Sequence, residues 1–304
     1  MFKVSLLRRD RAAAGEKMIY RFFSISAAVL LMLTAVSCKK VKIDPEVLGR
    51  FSGIRMIEKD NQLFLHGEKA SAVLIHNSCR VESSGIQMIF PDETLRSNEG
   101  VWRLPKRSAY LQVLFEPLKL QVKTIVIDPG HGGRDPGAVS VEQRIKEKDL
   151  NLDLALKLGR TLEQQGFTVL YTRDDDSTVP LAGRGGKFRA DLFISIHHNA
   201  SKNISASGAE TYCLLSKNSF DRNIAAAFQI ACEMQKAQSK ASGSYGRGVK
   251  FADFKVLRDA QCPAILFEAG FITNPDDEKR AVSDNYRQIM ADSLAQGIVR
   301  AVSL

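Results

Sequence analysis

The sequence is poor in cysteine, and the cysteines that it has are widely spaced. Five are present in 304 residues, at positions 38, 79, 213, 232 and 262. No two of them have the C-x-x-C spacing typical of a zinc site built from thiolates. A cysteine-bound zinc is therefore not expected. If Cys38 serves another purpose, four cysteines remain, which permits disulfides in an oxidising compartment without showing that any form.

Motifs for nucleotides and nucleic acids are also missing. The Gly-His-Gly-Gly stretch at residues 130–133 lacks the Lys-Ser/Thr ending of a P-loop and the G-x-G-x-x-G spacing of a dinucleotide site. No run of Arg and Lys interleaved with aromatic residues follows residue 40. The formal net charge of +9 suits an anionic polymer such as a cell wall, or nucleic acid, and the missing run makes nucleic acid the weaker option. We expect neither nucleotide nor nucleic acid as a partner.

Length and composition suit a globular protein with one good-sized domain and a smaller one. Hydrophobic residues make up 44% and charged residues 25% of the chain, which is ordinary for such proteins. Neither a disordered chain nor a multi-pass membrane protein has this composition.

One long hydrophobic run lies near the N-terminus, over residues 19–38. Arg21 supplies the positive flank, residues 27–36 are almost uninterruptedly apolar, and small residues precede Cys38. The segment resembles a bacterial lipobox, which predicts that Cys38 is lipidated and that an exported, periplasmic protein is anchored to a membrane. A plain signal peptide or a short anchor is the alternative. Because residues 1–17 are polar and basic, we also hypothesise that translation starts at Met18.

Residues 39–122 predict a small β-rich module. Short apolar or alternating runs at residues 62–66, 72–75, 86–90 and 110–114 favour strands. Turn residues separate several of these runs.

The pattern changes at Lys123, where a larger domain over residues 123–304 is predicted. A β-branched run at residues 124–127 is followed by leucines at 150, 154, 158 and 162, and by Gly166. That stripe predicts an amphipathic helix with a C-terminal glycine. Further strands are predicted at residues 167–171, 192–196, 210–215 and 264–267, with helices at 220–238 and 286–302. The alternation predicts an α/β fold, a three-layer α/β/α domain with a mostly parallel sheet.

Chemically capable residues follow three of these strands. His131 lies in a glycine-rich turn, His197 and His198 end the next strand, and Glu268 ends another. Glu147 begins the leucine-striped helix. Since the carboxyl ends of parallel strands converge, these side chains are expected to lie together. Two histidines and a glutamate form the ligand set of a catalytic zinc, and a second carboxylate can serve as the general base of amide hydrolysis.

Six segments in order across residues 123–302 resemble the zinc amidases that cleave N-acetylmuramoyl-L-alanine bonds: residues 127–133, 147–152, 193–199, 247–250, 256–258 and 263–274. The resemblance implies a peptidoglycan hydrolase that uses Zn²⁺-activated water on the amide bond between N-acetylmuramic acid and L-alanine. It also implies His131, Glu147 and His197 as zinc ligands, and Glu268 as the general acid/base.

Several positions leave more than one interpretation. His198 stands where the family usually has a small residue; because neighbours in a strand point to opposite faces, one histidine at most reaches the metal, and register favours His197. Asn199 and Arg247 are assigned to substrate binding, although a solvated face explains Arg247 and Lys250 equally well. Asp128 is predicted to accept backbone hydrogen bonds in its turn.

Two other functions compete with the amidase. A zinc carboxypeptidase acting within the stem peptide would use the same metal machinery. A non-catalytic lipoprotein that binds peptidoglycan belongs to a different class, but it would have no need of Glu268.

Overall fold

The structure is a computed structural model that describes residues 42–43, 53–60, 62–68, 70–75, 78–96, 101–103, 106–216 and 221–303. Residues Lys40–Leu304 make up one compact unit. The predicted signal segment over residues 1–38, with Met18 and Cys38, lies outside the described residues. Within the part of the chain that is described, no helix combines the length and the hydropathy needed to cross a membrane.

The described strands all join one sheet. In chain order they are β1 (Lys42–Ile43), β2 (Arg55–Lys59), β3 (Gln62–His66), β4 (Ser71–Ile75), β5 (Ser78–Ser83), β6 (Ile86–Arg96), β7 (Val101–Arg103), β8 (Thr124–Pro129), β9 (Thr168–Tyr171), β10 (Leu192–Asn199), β11 (Ala209–Leu214), β12 (Gly246–Ala252) and β13 (Ala264–Phe271). Their order across the sheet is β2-β3-β4-β5-β6-β12-β11-β13-β10-β8-β9, with β7 beside β6 and β1 beside β7.

Strand direction changes once in the half of the sheet that holds the candidate residues. Strands β9, β8, β10 and β13 are parallel, whereas β11 runs antiparallel to β13 and β12 runs parallel to β11. The N-terminal ends of β11 and β12 therefore lie beside the C-terminal ends of β8, β10 and β13. Residues that begin β11 and β12 consequently share an edge with the predicted site.

Three long helices cover one face of this sheet: α2 (Glu147–Gln164), α3 (Arg222–Ala241) and α6 (Asp284–Ala301). The leucine stripe of α2 is buried as predicted, because its four-residue spacing keeps the leucines on one side of the helix. Asp221 caps α3 by accepting hydrogen bonds from the backbone N–H groups of Asn223 and Ile224.

A thinner layer covers the opposite face. The short helix α4 (Lys255–Asp259) buries Val256 and Leu257 in an apolar cluster with Val126, Phe193 and Leu266. Residues 181–188 form turns on this side rather than a helix. The prediction of an α/β fold with helices on both faces of a sheet, preceded by strands, is confirmed.

The N-terminal strands form an antiparallel meander from β2 to β6. It joins the larger sheet through β6 and β12, at the pair Met88 and Val249. Predicted strands at residues 62–66, 72–75 and 86–90 are confirmed by β3, β4 and β6. The division of the chain at residue 122 stays a prediction.

The strand predicted at residues 110–114 is wrong. A 3₁₀ helix over Lys106–Leu111 leads there into the single helical turn α1 (Gln112–Phe115). Tyr110 and Val113 are both buried, and a spacing of three places them on one side of a helical turn. The Tyr110 ring packs against Phe251, with centroids 5.7 Å apart. Residues 110–114 are thus largely apolar because one side of a helical turn packs on the core, not because they form a strand.

Another helix, α5 (Pro275–Ala281), follows β13 directly. Asn274 caps it by accepting hydrogen bonds from the backbone N–H groups of Asp276 and Asp277.

Candidate metal centre

His131 follows β8 in the glycine-rich turn and adopts a backbone conformation unusual for its residue type. Its φ is +62°, in the left-handed region that costs a non-glycine residue about 1 kcal/mol or more. The side chain is oriented by Asp135, whose Oδ2 lies 2.8 Å from the His131 Nδ1 atom. Nε2 is thereby left to face the interior of the site.

Glu147 is the first residue of α2, where the positive end of the helix dipole favours a carboxylate. The backbone N–H of Ala138 donates to Oε2 at 2.9 Å, and Asn151 Nδ2 donates to Oε1 at 3.2 Å. These bonds fix the carboxylate between His131 and His197.

His197 lies in β10, paired in register with Glu268 of β13. Its ring packs on Gly130, where a Cβ would lie only 2.3 Å from the ring atoms. Position 130 therefore excludes any side chain, which explains one glycine of the turn.

These three residues converge on one point. The Oε2 atom of Glu147 lies 3.1 Å from His131 Nε2, and its Oε1 atom lies 2.9 Å from His197 Nδ1. The potential ligand atoms all lie within 4.8 Å of one another, and this is the metal-type cluster found among the described residues. The residues that the sequence nominated as metal ligands are thus brought together.

The electrostatics of the cluster follow from its burial and mutual hydrogen bonds. The hydrogen bond to Glu147 raises the pKa of His131 to about 9. Burial alone would raise the pKa of Glu147, but the hydrogen bonds with both histidines lower it far below its ordinary value. The site therefore holds an ionised carboxylate, as a metal ligand must be.

His198 is placed differently from His197. Its side chain is buried, and its Nδ1 atom lies 2.8 Å from Asn151 Oδ1. Burial lowers the pKa of His198 to about 4, so the ring is neutral at ordinary pH. The side chain belongs to the packing between β10 and α2 and not to the cluster.

Glu268 lies beside the cluster on β13. Its Oε2 atom is buried and has no hydrogen-bond partner among the described residues. Burial raises the pKa of Glu268 to about 7. A buried carboxyl oxygen without a partner is costly unless a ligand or substrate supplies one, and a pKa near neutrality suits proton transfer.

Two buried arginines hold the turn that carries His131, and the sequence patterns did not single them out. Arg173 donates to the backbone carbonyls of Pro129 and Gly130, at 3.0 and 2.9 Å. Arg184 donates to the carbonyl of His131 at 2.6 Å and to the Asp128 carboxylate at 2.8 Å. Buried backbone carbonyls need hydrogen-bond partners, and the two guanidinium groups supply them here.

Asp128 was predicted to accept backbone hydrogen bonds, and that prediction is wrong. Its fully buried carboxylate accepts from three side chains instead: Thr172 at 2.5 Å, Ser195 at 2.8 Å and Arg184. Asp128 lies within β8, one residue before its end, so Ser195 of the adjacent β10 and Thr172, directly after β9, reach its carboxylate.

Asn199 and Arg247, the two residues assigned to substrate binding, both contact a carboxylate that sequence reasoning missed. Glu210 is 2% exposed. Asn199 Nδ2 donates to its Oε1 atom at 2.9 Å, and Arg247 Nε donates to its Oε2 atom at 2.6 Å. Lys250 also donates to Oε2. The sequence offered one sign of this role, namely that Glu210 is an ionisable residue near the start of a strand that is otherwise mostly apolar.

Comparison with known proteins links this arrangement to cell-wall hydrolases. The chain is 38% identical over 180 residues to the probable cell wall amidase LytH of Staphylococcus aureus, a match covering 59% of this chain and 58% of LytH. The chain thus spans less than two thirds of the length of the curated relatives that it matches.

Two solved structures with the same fold match this chain over nearly their whole length. An N-acetylmuramoyl-L-alanine amidase from Clostridium difficile 630 is 34% identical with a TM-score of 0.55, over 59% of this chain and 96% of that one. The catalytic domain of CwlV from Bacillus (Paenibacillus) polymyxa var. colistinus is also 34% identical, with a TM-score of 0.53, over 59% and 97%.

The family match covers the whole site. Residues 125–300, more than half of the chain, match the family described as N-acetylmuramoyl-L-alanine amidase. That span contains the three clustered residues, Glu268 and the strands that position them. The chain therefore belongs to the Amidase_3 family of N-acetylmuramoyl-L-alanine amidases.

Proposed function

We propose that this chain is a zinc-dependent hydrolase that cleaves the amide bond between N-acetylmuramic acid and the L-alanine of the peptidoglycan stem peptide. The observation that carries the proposal is the convergence of His131, Glu147 and His197 beside the unpartnered oxygen of Glu268. Membership of the N-acetylmuramoyl-L-alanine amidase family indicates which bond is cleaved.

The donor set fits zinc. Imidazole nitrogens and one carboxylate suit its borderline softness, whereas Mg²⁺ and Ca²⁺ prefer oxygen ligands. The two Glu147 oxygens lie 3.1 and 2.9 Å from His131 Nε2 and His197 Nδ1, so the three side chains are close enough to share one ion. His131 Nε2, Glu147 and His197 Nδ1 would hold the ion. When bound, zinc would polarise the scissile carbonyl and lower the pKa of water.

Glu268 performs the proton transfers in this proposal. Its ionised carboxylate accepts a proton from the attacking water, and the resulting acid donates a proton to the leaving nitrogen of L-alanine. The buried Oε2 atom makes no competing hydrogen bond among the described residues, so it is free for this task. Asp135 keeps the His131 ring oriented throughout, through the 2.8 Å contact with Nδ1.

The proposal extends to location. A substrate in the cell wall lies outside the cytoplasm, and the apolar run before Cys38 supports export followed by lipid anchoring at that cysteine. Cells grown with a labelled fatty acid test the anchor. The wild-type protein should carry the label and a Cys38→Ser variant should not; label in both would contradict the assignment.

The activity is tested with the purified chain, intact peptidoglycan and mass spectrometry of the released products. With zinc present, we expect stem peptides that begin with a free L-alanine amine. A chelator should abolish their release. Glu268→Gln should lower kcat by about 10²- to 10⁴-fold, the usual contribution of a general acid/base.

A matched control is Glu233→Gln, since Glu233 lies on α3 and pairs with Lys236 away from the cluster. It should keep wild-type activity. Release of D-alanine alone would replace the proposal with a carboxypeptidase. Binding to peptidoglycan without any product would leave a non-catalytic lipoprotein.

A further inference from the structure

The site continues along the edge of the sheet beyond Glu268. His197 of β10 is in register with Glu268 of β13, and Glu268 is in register with Glu210 of β11. The next strand, β12, contributes Arg247 and Lys250, which both donate to Glu210. Metal ligand, acid/base, buried carboxylate and two cations thus follow one another across adjacent strands.

A β-bulge makes this arrangement possible. Residues 247 and 250 are three apart, so in a regular strand their side chains would point to opposite faces. Between the pairs Ala209–Gly246 and Thr211–Val249, however, β12 contains one residue more than β11. Gly248 takes up the irregularity with φ +81°. Both cations consequently reach the same oxygen of Glu210.

The cluster carries one positive charge more than its own carboxylate neutralises. Glu210 accepts hydrogen bonds from Lys250, Arg247, Asn199 and the Tyr212 hydroxyl. Glu210 itself is only 2% exposed, whereas the Arg247 and Lys250 side chains are 30% and 18% exposed. The surplus cation therefore faces outward while the anion that anchors it does not.

Arg247 is shaped to receive a further acceptor. Its guanidinium is held by Glu210 through Nε and by the Ser207 carbonyl through Nη1 at 3.3 Å. It also stacks on Phe271, 5.0 Å from the ring centroid. Its Nη2 atom makes no hydrogen bond within the described residues. A guanidinium fixed on one side and open on the other is suited to bind a carboxylate.

We infer that Arg247 and Lys250, held by Glu210, bind the free α-carboxylate of the residue that follows L-alanine in the stem peptide. The inference rests on the proposed function. That carboxylate lies about 7 Å from the scissile nitrogen, since one residue spans about 3.3–3.6 Å. Glu210 is one strand from Glu268, about 5 Å, and β12 is two strands away, about 10 Å. The stem peptide would run from the metal ligands toward β12.

The test compares two soluble disaccharide–peptide substrates that differ at one group. In one, the second stem residue is D-glutamate with a free α-carboxylate; in the other, it is the α-amide, D-isoglutamine. We expect the full chain, loaded with zinc, to show a kcat/KM about tenfold or more higher for the free acid, because a charge-assisted hydrogen bond is lost in the amide. In Arg247→Met and Lys250→Met the preference should fall toward one.

Arg258→Met is the control, because Arg258 pairs with Asp253 on the exposed surface; it should keep the wild-type preference. Equal kcat/KM for the two substrates in the wild-type chain would overturn the inference while leaving the amidase intact. So would an undiminished preference in both methionine variants. Failure to cleave either substrate would instead refute the proposed function, and the inference with it.

Discussion

The guanidinium of Arg184 donates to the backbone carbonyl of His131, with Nη2 and the oxygen 2.6 Å apart. The same side chain pairs with the buried Asp128 carboxylate at 2.8 Å. Arg184 therefore holds the main chain of a candidate metal ligand rather than its ring. The held residue is the one with φ +62°, so the contact maintains a conformation that the chain would otherwise leave.

Arg184→Met should weaken zinc binding by about 10- to 100-fold, as loss of a residue that orients a metal ligand usually does. Competition against a chromogenic chelator measures the affinity directly, without reference to activity. Arg184→Lys should recover part of it, since an ammonium can reach one of the carbonyls. Arg189→Met, in the same segment but exposed, is the matched control. Wild-type zinc affinity in a folded Arg184→Met variant would show that the turn at His131 keeps its conformation without Arg184.

Zinc should raise the melting temperature of the protein. A ligand that binds only the folded state at 100 times its dissociation constant adds about 2.7 kcal/mol to the free energy of unfolding, or about 5–10 °C for a domain of this size. His197→Ala should lose this rise. His66→Ala should retain it, because His66 lies on β3 and contacts Ser71 instead. A zinc-dependent shift that survives in His197→Ala would place the metal elsewhere.

Glu210→Gln should lower the free energy of unfolding by about 1–3 kcal/mol at neutral pH, since its charged hydrogen bonds are weakened in the interior. Burial alone would raise the pKa of Glu210, but hydrogen bonds from Lys250, Tyr212 and Arg247 lower it below the ordinary value of 4.5. A lowered pKa means that the carboxylate stabilises the fold above about pH 4.5, and that this is lost as the pH falls further.

Urea unfolding of wild type and Glu210→Gln across pH 3 to 8 measures the effect. The difference between the two proteins should be largest near neutrality and should shrink below about pH 4.5. Glu233→Gln, on α3, should stay within about 0.5 kcal/mol of wild type throughout. A difference that grows on acidification would show that Glu210 is not ionised in the folded protein.

Gly248→Ala should lower the free energy of unfolding by more than the backbone strain of a non-glycine residue at positive φ accounts for. An added Cβ at position 248 would lie 1.9 Å from the Gln87 carbonyl oxygen of β6, in addition to φ +81°. Gly183→Ala is the matched control, with φ +92° and nothing within 4 Å. It should cost about 1–2 kcal/mol for backbone strain alone. Equal losses in the two variants, measured by urea unfolding, would show that β6 and β12 separate easily.

Much of the fold is determined by local pattern. The leucine stripe of α2 and the β-branched run of β8 are periodicities that a single segment displays, and burial then confirms them. The candidate metal ligands could also be predicted from the sequence, because they follow strands or begin a helix, and such ends meet at one edge of a parallel sheet. Local pattern failed at residues 110–114, where apolar residues suit a helical turn and a strand alike.

Tertiary structure alone decided the relationships between distant segments. Strand register already favoured His197 over His198, but the contacts that His197 makes with Glu147 and that His198 makes with Asn151 exist only once β10 packs against α2. The role of Glu210 depends on partners 37 and 40 residues further along the chain. The sequence around Glu210 does not indicate that Arg247 and Lys250 are its partners. Short-range periodicity records which face of an element is buried; which charges meet across strands depends on sheet order, strand direction and a bulge, and these exist only once the strands have paired.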